Sequence, residues 1–351
     1  MPRKKTEDSA AVVPHRVTQQ DIANIAGVHK MTVSDALKGT GRVDPSTRER
    51  IQQIARELNY VPNPAARALA TGRTGNIVLI SGPVYKQYYA RMVHNLETHI
   101  NHAGYQLVLM RTRTKVRDLV TSNSSLSADG VIVIDTVAIL DEFRSHPNFP
   151  CVAIGTSEHD FIDNVQAEIG PSLNHAIFLM RESGRRRIAL VVTHTSIAAR
   201  SDARARTYYE ALEVANLESE IINLDSDDPT VIEIRLERYI REKGSPDGLV
   251  CENDDIAICA LAVMQRLGYK VPDDVMLVGC AGCDGQTHLK YFDPPISTVV
   301  LPMAQMCAVA WQFLERRMTD MSLPHQQVSI PSKLILTSSL IPMTGRIPDE
   351  T

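Results

Sequence analysis

The chain has 351 residues, 44% hydrophobic and 22% charged, with a net charge of −4. This is the balance of a water-soluble globular protein of two or three domains, and no apolar run approaches the ~18 residues a membrane helix needs. The charge is split, with 12 Lys/Arg against 7 Asp/Glu in residues 1–75 and 25 against 34 in the rest, so a polyanion is expected to meet the head alone. Arg3, Lys4 and Lys5 are followed by no apolar segment, which argues against a secretory signal. Six cysteines without a framework spacing suit reduced thiols in the cytoplasm.

Residues 1–16 lack apolar periodicity and read as a disordered arm. Residues 17–62 read as three short helices. Thr18 and Asp21 have the spacing of a capping box, and Ile22, Ala23, Ile25 and Ala26 give the first helix its apolar face. Gly27 supplies a turn. A second helix is expected at 30–37 with Val33, Ala36 and Leu37 inward. The third is expected at 47–58, with Ile51, Ile54, Ala55 and Leu58 as its stripe. The spacing Ala23, Gly27, Val33 is that of a helix-turn-helix, in which a small residue, a turn and an apolar lock let two helices cross closely. Residues 63–75 read as a hinge helix and linker, with Asn63 as N-cap and Pro64 at the first helical position. So short a helix does not persist alone in water. It is either a plain linker or a segment that folds when two copies meet on DNA.

From Asn76 onward, short apolar runs alternate with amphipathic stretches. Strands are expected at 77–80, 106–110, 131–134 and 152–154, with helices at 89–103, 116–125 and 139–145. The theme then repeats, with strands at 188–192, 221–224, 249–251 and 275–278 and helices at 173–182, 203–214, 231–243 and 256–267. A last helix is expected at 303–318. Such alternation predicts an α/β body (76–351) of two lobes built on parallel sheets, with a ligand cleft at the carboxyl ends of the strands.

Residues 17–77, three helices with their turns and the hinge in order, resemble the head of the lactose-repressor/purine-repressor (LacI–GalR) family, and weaker similarity continues to near the C-terminus. The resemblance implies the type-1 periplasmic-binding-protein architecture for the body. Lobe 1 would be about 76–162 and 301–336, and lobe 2 about 164–298 and 338–345. The chain would cross between them near 162–164, 298–301 and 336–338. It further implies a sequence-specific DNA-binding repressor of a catabolic operon, working as a homodimer on pseudo-palindromic double-stranded operator DNA. A small-molecule effector, a sugar or sugar derivative before a nucleobase, would bind between the lobes. The tail from Ile341 lacks heptads, so no tetramer is expected. No cofactor, membrane partner or catalytic role is implied.

Residue by residue, the resemblance carries Lys30, Met31 and Asp35 to base edges, and Thr32 and Ser34 nearer the phosphates, with Thr18 in the same DNA-facing set. His29 stands where the family has a serine cap and Asp35 where it has arginine. An aspartate accepts from cytosine N4 but cannot bind guanine O6/N7, which predicts an altered half-site unless Asp35 faces solvent or pairs with Lys38. Leu69 is assigned to the minor groove as an apolar wedge, with Ala66 on the same helix face and Asn63 and Arg67 near phosphates. In the cleft, Tyr88 and Tyr89 match the family's aromatic pair, and Arg204 its effector-binding arginine, with Arg200 and Arg206 as alternatives. Asn253 matches a polar ligand contact, with Asp254 as a helix cap, and Asp284 matches the pocket aspartate. The chain carries about three extra residues at 279–281. Cys280 and Cys283 form a lone C-x-x-C with His288 downstream, and no second pair completes a metal site, so no metal is expected. Dinucleotide, phosphate-loop, zinc-protease and nucleophile-elbow signatures are missing, and His194 at a strand end has no nucleophile partner. A plain solute-binding protein and an α/β enzyme are the rival classes.

Overall fold

A computed structural model describes residues 17–62, 68, 72–110, 128–135, 137–144, 146, 149–283 and 288–341. The chain divides into two compact units, Met1–Thr74 and Gly75–Thr351.

The first unit contains α1 (Gln19–Ala26), α2 (Lys30–Lys38) and α3 (Pro45–Glu57). Thr18 caps α1, and the reciprocal contact from Asp21 completes the capping box. Gly27 ends α1 in the left-handed conformation, at φ 65°. Helix α3 begins two residues earlier than the pattern at Thr47 suggested. Asp44 caps it, accepting from the Ser46 and Thr47 amides at 3.0 and 3.3 Å, and Pro45 needs no partner at the first position. Ile22, Ala23, Ala26, Val33, Ala36, Ile51 and Ala55 are buried together between the three helices. Ile25, expected on the same face as Ile22, is instead 53% exposed, because 3.6-residue periodicity turns it away from the other two helices.

The second unit contains two six-stranded sheets. In chain order its elements are β1 (Asn76–Ile80), α4 (Gln87–His102), β2 (Gln106–Met110), β3 (Gly130–Ile134), α5 (Val137–Arg144), β4 (Cys151–Gly155), β5 (Asp163–Glu168), α6 (Gly170–Glu182), β6 (Ile188–Val192), α7 (Ala203–Val214), β7 (Glu220–Asn223), α8 (Pro229–Lys243), β8 (Gly248–Cys251), α9 (Asp254–Arg266), β9 (Met276–Cys283), β10 (Ser297–Leu301), α10 (Met303–Thr319), β11 (Gln327–Pro331) and β12 (Lys333–Ile335). The first sheet runs β11-β5-β4-β3-β1-β2 with every neighbour parallel. The second runs β12-β10-β9-β8-β6-β7 and is parallel except for the β10–β12 pair. The central strands β3, β4, β6 and β8 are buried end to end, as expected where helices cover both faces of a parallel sheet.

Three connections join the lobes: Ile169 between β5 and α6, Pro302 between β10 and α10, and Ser332 between β11 and β12. The family resemblance implied them near 162–164, 298–301 and 336–338. The first two of those segments are strands β5 and β10, and the third follows β12. Lobe 1 is therefore built from β1–β5, α10 and β11, and lobe 2 from α6–β10 and β12. Strand β5 opens on Asp163 and Asn164, a polar pair that no apolar run marks as a strand although both are buried. The helix expected at 116–125 lies outside the described residues.

Candidate functional site

In the head, α2 presents two contrasting faces. Val33 and Ala36 are fully buried, while Lys30 is exposed and Met31 is 77% exposed. Thr32 and Ser34 are half-buried beside it. His29 makes no side-chain cap, so the α2 N-terminus keeps free amide donors of the kind that bind phosphate. Thr18 is exposed, but its hydroxyl is engaged in the α1 cap, donating to the Asp21 carboxylate at 2.8 Å. Asp35 is half-buried, and its carboxylate leans over Gly41, where a Cβ would lie 2.8 Å from Oδ2. No ion pair joins Asp35 to Lys38 among the described residues. Asn63, Ala66, Arg67 and Leu69 lie outside the described residues.

In the body, the residues just past the carboxyl ends of the strands gather at one cleft between the lobes. Asp135 follows β3 with φ 43°, and its carboxylate accepts from the Thr156 amide at 2.9 Å and from the Tyr88 hydroxyl. Burial raises the Asp135 pKa against the lowering effect of those donors, and burial beside Asp135 raises that of Tyr88. Tyr89 packs edge-to-face on Tyr88 with centroids 5.1 Å apart. Its phenol is pushed up to about 12, by burial first and then by the negative charge of Asp135. Asp227 and Glu252 of lobe 2 act on the same phenol, as does Arg204 in the opposite sense, so the two lobes share one electrostatic environment.

Arg204, at the start of α7, is held rigidly. It donates from Nε and Nη2 to Asp202 at 2.9 and 2.6 Å and from Nη1 to the Glu252 carbonyl at 3.0 Å. Glu252 is buried, and its carboxylate accepts from the Thr193 amide and hydroxyl at 2.7 and 2.8 Å and from Asn253 Nδ2 at 3.1 Å. Asn253 in turn caps α9, its Oδ1 accepting from the Ile256 amide at 3.0 Å. The cap is thus Asn253 and not Asp254. Lys86, which precedes α4 in lobe 1, pairs with Asp227 of lobe 2, and His194 Nε2 lies 3.3 Å from the other Asp227 oxygen. Of the expected ligand residues, Tyr88, Tyr89, Arg204 and Asn253 come together here, and Asp284 lies outside the described residues. Arg200 pairs with Glu213 and stacks on Tyr209 instead, and Arg206 is exposed. The pattern missed Asp135, Thr193 and Glu252, yet each directly follows a strand that the apolar runs had located. The carboxyl-end rule, applied one residue past each run, finds them.

Asp254 lies behind this layer, buried, with Oδ1 accepting from the Thr298 hydroxyl at 2.5 Å and Oδ2 without a partner. Burial raises its pKa to about 7, from the usual 3.8. An acid whose pKa is raised on folding costs stability progressively as pH climbs from about 4 to about 7, and the full cost persists above that. Asp254→Asn is therefore expected to stabilise the chain by about 2 kcal/mol at pH 8 and by little at pH 5. Urea titrations at the two pH values check this, and an equal effect at both would refute it.

Residues 279–281, expected to be extra, lie in the eight-residue β9, which has a register shift against β10 and Ala281 at φ 59°. Cys280 is buried there, and burial pushes its thiol up to about 12. That is the opposite of a reactive thiolate. No cluster of His, Cys, Asp and Glu fit to hold a metal occurs among the described residues, and no helix among them is long and apolar enough to cross a membrane.

A helix-turn-helix head followed by a two-lobed, cleft-forming α/β body defines the class of ligand-responsive bacterial regulators. Residues 18–63 match the family of bacterial regulatory proteins, lacI family, and residues 179–340 match the periplasmic binding protein-like domain. The chain is 25% identical to the HTH-type transcriptional repressor PurR of Photobacterium profundum, over 92% of this chain and 98% of that one. It is 26% identical to catabolite control protein A of Staphylococcus epidermidis, over 91% and 97%. A solved lac repressor dimer bound to operator and the anti-inducer ONPF shares the fold, with a TM-score of 0.78 at 19% identity, covering 93% of this chain and all of that one. By these matches the head is that of the lacI family of bacterial regulatory proteins and the body is a periplasmic binding protein-like domain.

Proposed function

We propose that this protein is a sequence-specific DNA-binding transcription regulator, a repressor of a catabolic operon, whose hold on its operator is set by a small molecule bound between the two lobes. The observation that carries the reading is α2: a buried Val33/Ala36 face opposite an exposed Lys30/Met31 face, in a net-basic head on an acidic body. That face enters the major groove, with Lys30 and Met31 at base edges, Thr32 and Ser34 toward phosphates, and Thr18 positioning α1. The relatives named as transcriptional repressors support this, as does the operator-bound lac repressor of like fold. The protein acts in the cytoplasm as a homodimer, since a palindromic operator needs two heads. It is a binding protein and not an enzyme. Tyr88, Tyr89, Arg204, Asn253 and Asp284 form the effector set, a sugar or sugar derivative being the effector. Effector binding shifts the relative pose of the lobes, and operator affinity changes by the differential affinity of effector for the two poses.

Selection from a random duplex pool at low salt, followed by gel shifts, tests the reading. A pseudo-palindromic site is expected, with cytosine at the base facing Asp35. Failure to retain any duplex ends the proposal, and an arginine-type half-site ends the assignment of Asp35. Leu69→Ala is expected to weaken the selected site by about tenfold or more and to leave binding to random duplex nearly unchanged, because an apolar wedge contributes only where the duplex kinks. Equal losses on both would remove Leu69 from the minor groove.

A further inference from the structure

Among the described residues, the cations of the cleft are already paired. The Arg204 fork, which could otherwise grip a carboxylate or phosphate from two sides, is closed on Asp202 through Nε and Nη2, and its remaining arm holds the Glu252 carbonyl. Lys86 is neutralised by Asp227 across the cleft. Against these two cations stand four carboxylates: Asp135, Asp202, Asp227 and Glu252. Two of the four, Asp135 and Glu252, have no ion-pair partner among the described residues: Asp135 is hydrogen-bonded by the Thr156 amide and hydroxyl and the Tyr88 phenol, and Glu252 by Thr193 and Asn253.

We infer, resting on the effector-binding reading above, that the cleft admits hydroxyl-rich ligands of zero or positive charge and rejects anionic ones. Sugar phosphates and sugar acids are thereby excluded as effectors. Among the described residues, a phosphate or carboxylate in this cleft finds no guanidinium that is not already paired with a carboxylate, and it lies beside carboxylates whose charge is not balanced; like charges brought together this way cost binding heavily. Hydroxyl and ammonium groups instead donate to Asp135, which has accepting capacity left beyond the Thr156 amide, the Thr156 hydroxyl and the Tyr88 phenol. A partly desolvated carboxylate gains from such donors, and Asp135 is half-buried, with burial the largest influence on its charge.

The test uses the full-length chain and calorimetric titration with matched sets: hexoses, hexitols and hexosamines against their 6-phosphates and aldonic acids. The expected result is saturable binding of at least one uncharged or amino member, with its phosphate and acid weaker by at least about tenfold. A phosphate or acid that binds as tightly as its uncharged parent, and whose binding is lost in Arg204→Gln, overturns the inference. So does a panel in which no uncharged or amino member binds. Inorganic phosphate gives a second arm. Phosphorus NMR of the wild-type chain is expected to show no saturable binding, and Asp202→Ala, which opens the Arg204 fork, is expected to gain it by about tenfold or more. Saturable phosphate binding by the wild type that disappears in Arg204→Gln also overturns the inference. An anionic effector would leave the regulator reading standing, whereas loss of all duplex binding would strike that reading and not this one.

Discussion

Asp163→Ala is expected to cost the body about 3–5 kcal/mol of unfolding free energy. Asp163 opens β5 with its side chain completely out of solvent, and Arg317 on α10 reaches it with a guanidinium only 7% exposed. The pair is bidentate, with Nε and Nη2 donating at 2.9 and 2.8 Å. The other arginine donors are spent on three carbonyls of the segment after α10: Met321 at 3.0 Å, Leu323 at 2.6 Å and Pro324 at 2.9 Å. Gln326 adds its amide to Asp163 at 2.7 Å. Desolvating two ions is costly, and only this full set of partners offsets it. Removing the carboxylate leaves Arg317 charged, buried and short of two of its five hydrogen bonds. It also frees the segment from residue 320 to 326 that feeds β11 into the edge of sheet 1. Arg317→Met should cost a similar amount, since it strands the carboxylate instead. Asp163→Leu with Arg317→Met should recover much of the loss, because an apolar pair has no charge to strand. Chemical unfolding of the four proteins measures this. Single losses below about 1 kcal/mol would mean that the pair is solvated in solution and contributes as a surface bridge does.

The same residue explains what the sequence concealed. Strands buried on both faces announce themselves as apolar runs, so β1, β3, β4, β6 and β8 were legible from Ile77, Val131, Val152, Ile188 and Leu249 onward. Strand β5 was not, because its polarity is cancelled by Arg317, some 150 residues away in sequence, and no local pattern carries that information. Strand β12 was missed for a different reason: it is three residues long at a sheet edge, with Lys333 and Ile335 exposed. The cleft divides likewise. Tyr88, Tyr89 and Arg204 could be carried over by resemblance. The closure of Arg204 by Asp202 depends on a capping geometry two residues upstream that spacing alone does not distinguish from an open fork. The head was the most legible part, since capping box, turn glycine and apolar stripe are all local. Even there Ile25 faces water, because an apolar residue on a short helix has no obligation to join the core.

Gly155→Ala is expected to destabilise the body by about 3 kcal/mol and to abolish the effector response, though it adds a single methyl group. A Cβ at 155 would lie 1.9 Å from Asp135 Oδ1 and 2.4 Å from its Cγ. Two atoms cannot share that space, so the Asp135 carboxylate must rotate away and leave the Thr156 amide and the Tyr88 hydroxyl. Asp135→Ala alone should cost much less, about 1 kcal/mol. Burial already works against the charge of Asp135, so deleting the carboxylate removes a penalty along with its hydrogen bonds. Gly155→Ala keeps the charge in the same surroundings and takes only its donors away, the more expensive of the two changes. Once Asp135 is alanine, the methyl at 155 meets no carboxylate, and the double variant should be nearly as stable as Asp135→Ala by itself. Neither change touches residues 18–62, so operator affinity without effector should stay within about threefold of wild type. The decisive quantity is the coupling in the double-mutant cycle. If the two losses simply add, the carboxylate does not rest against Gly155, and the Asp135 charge lies somewhere other than beside Tyr88.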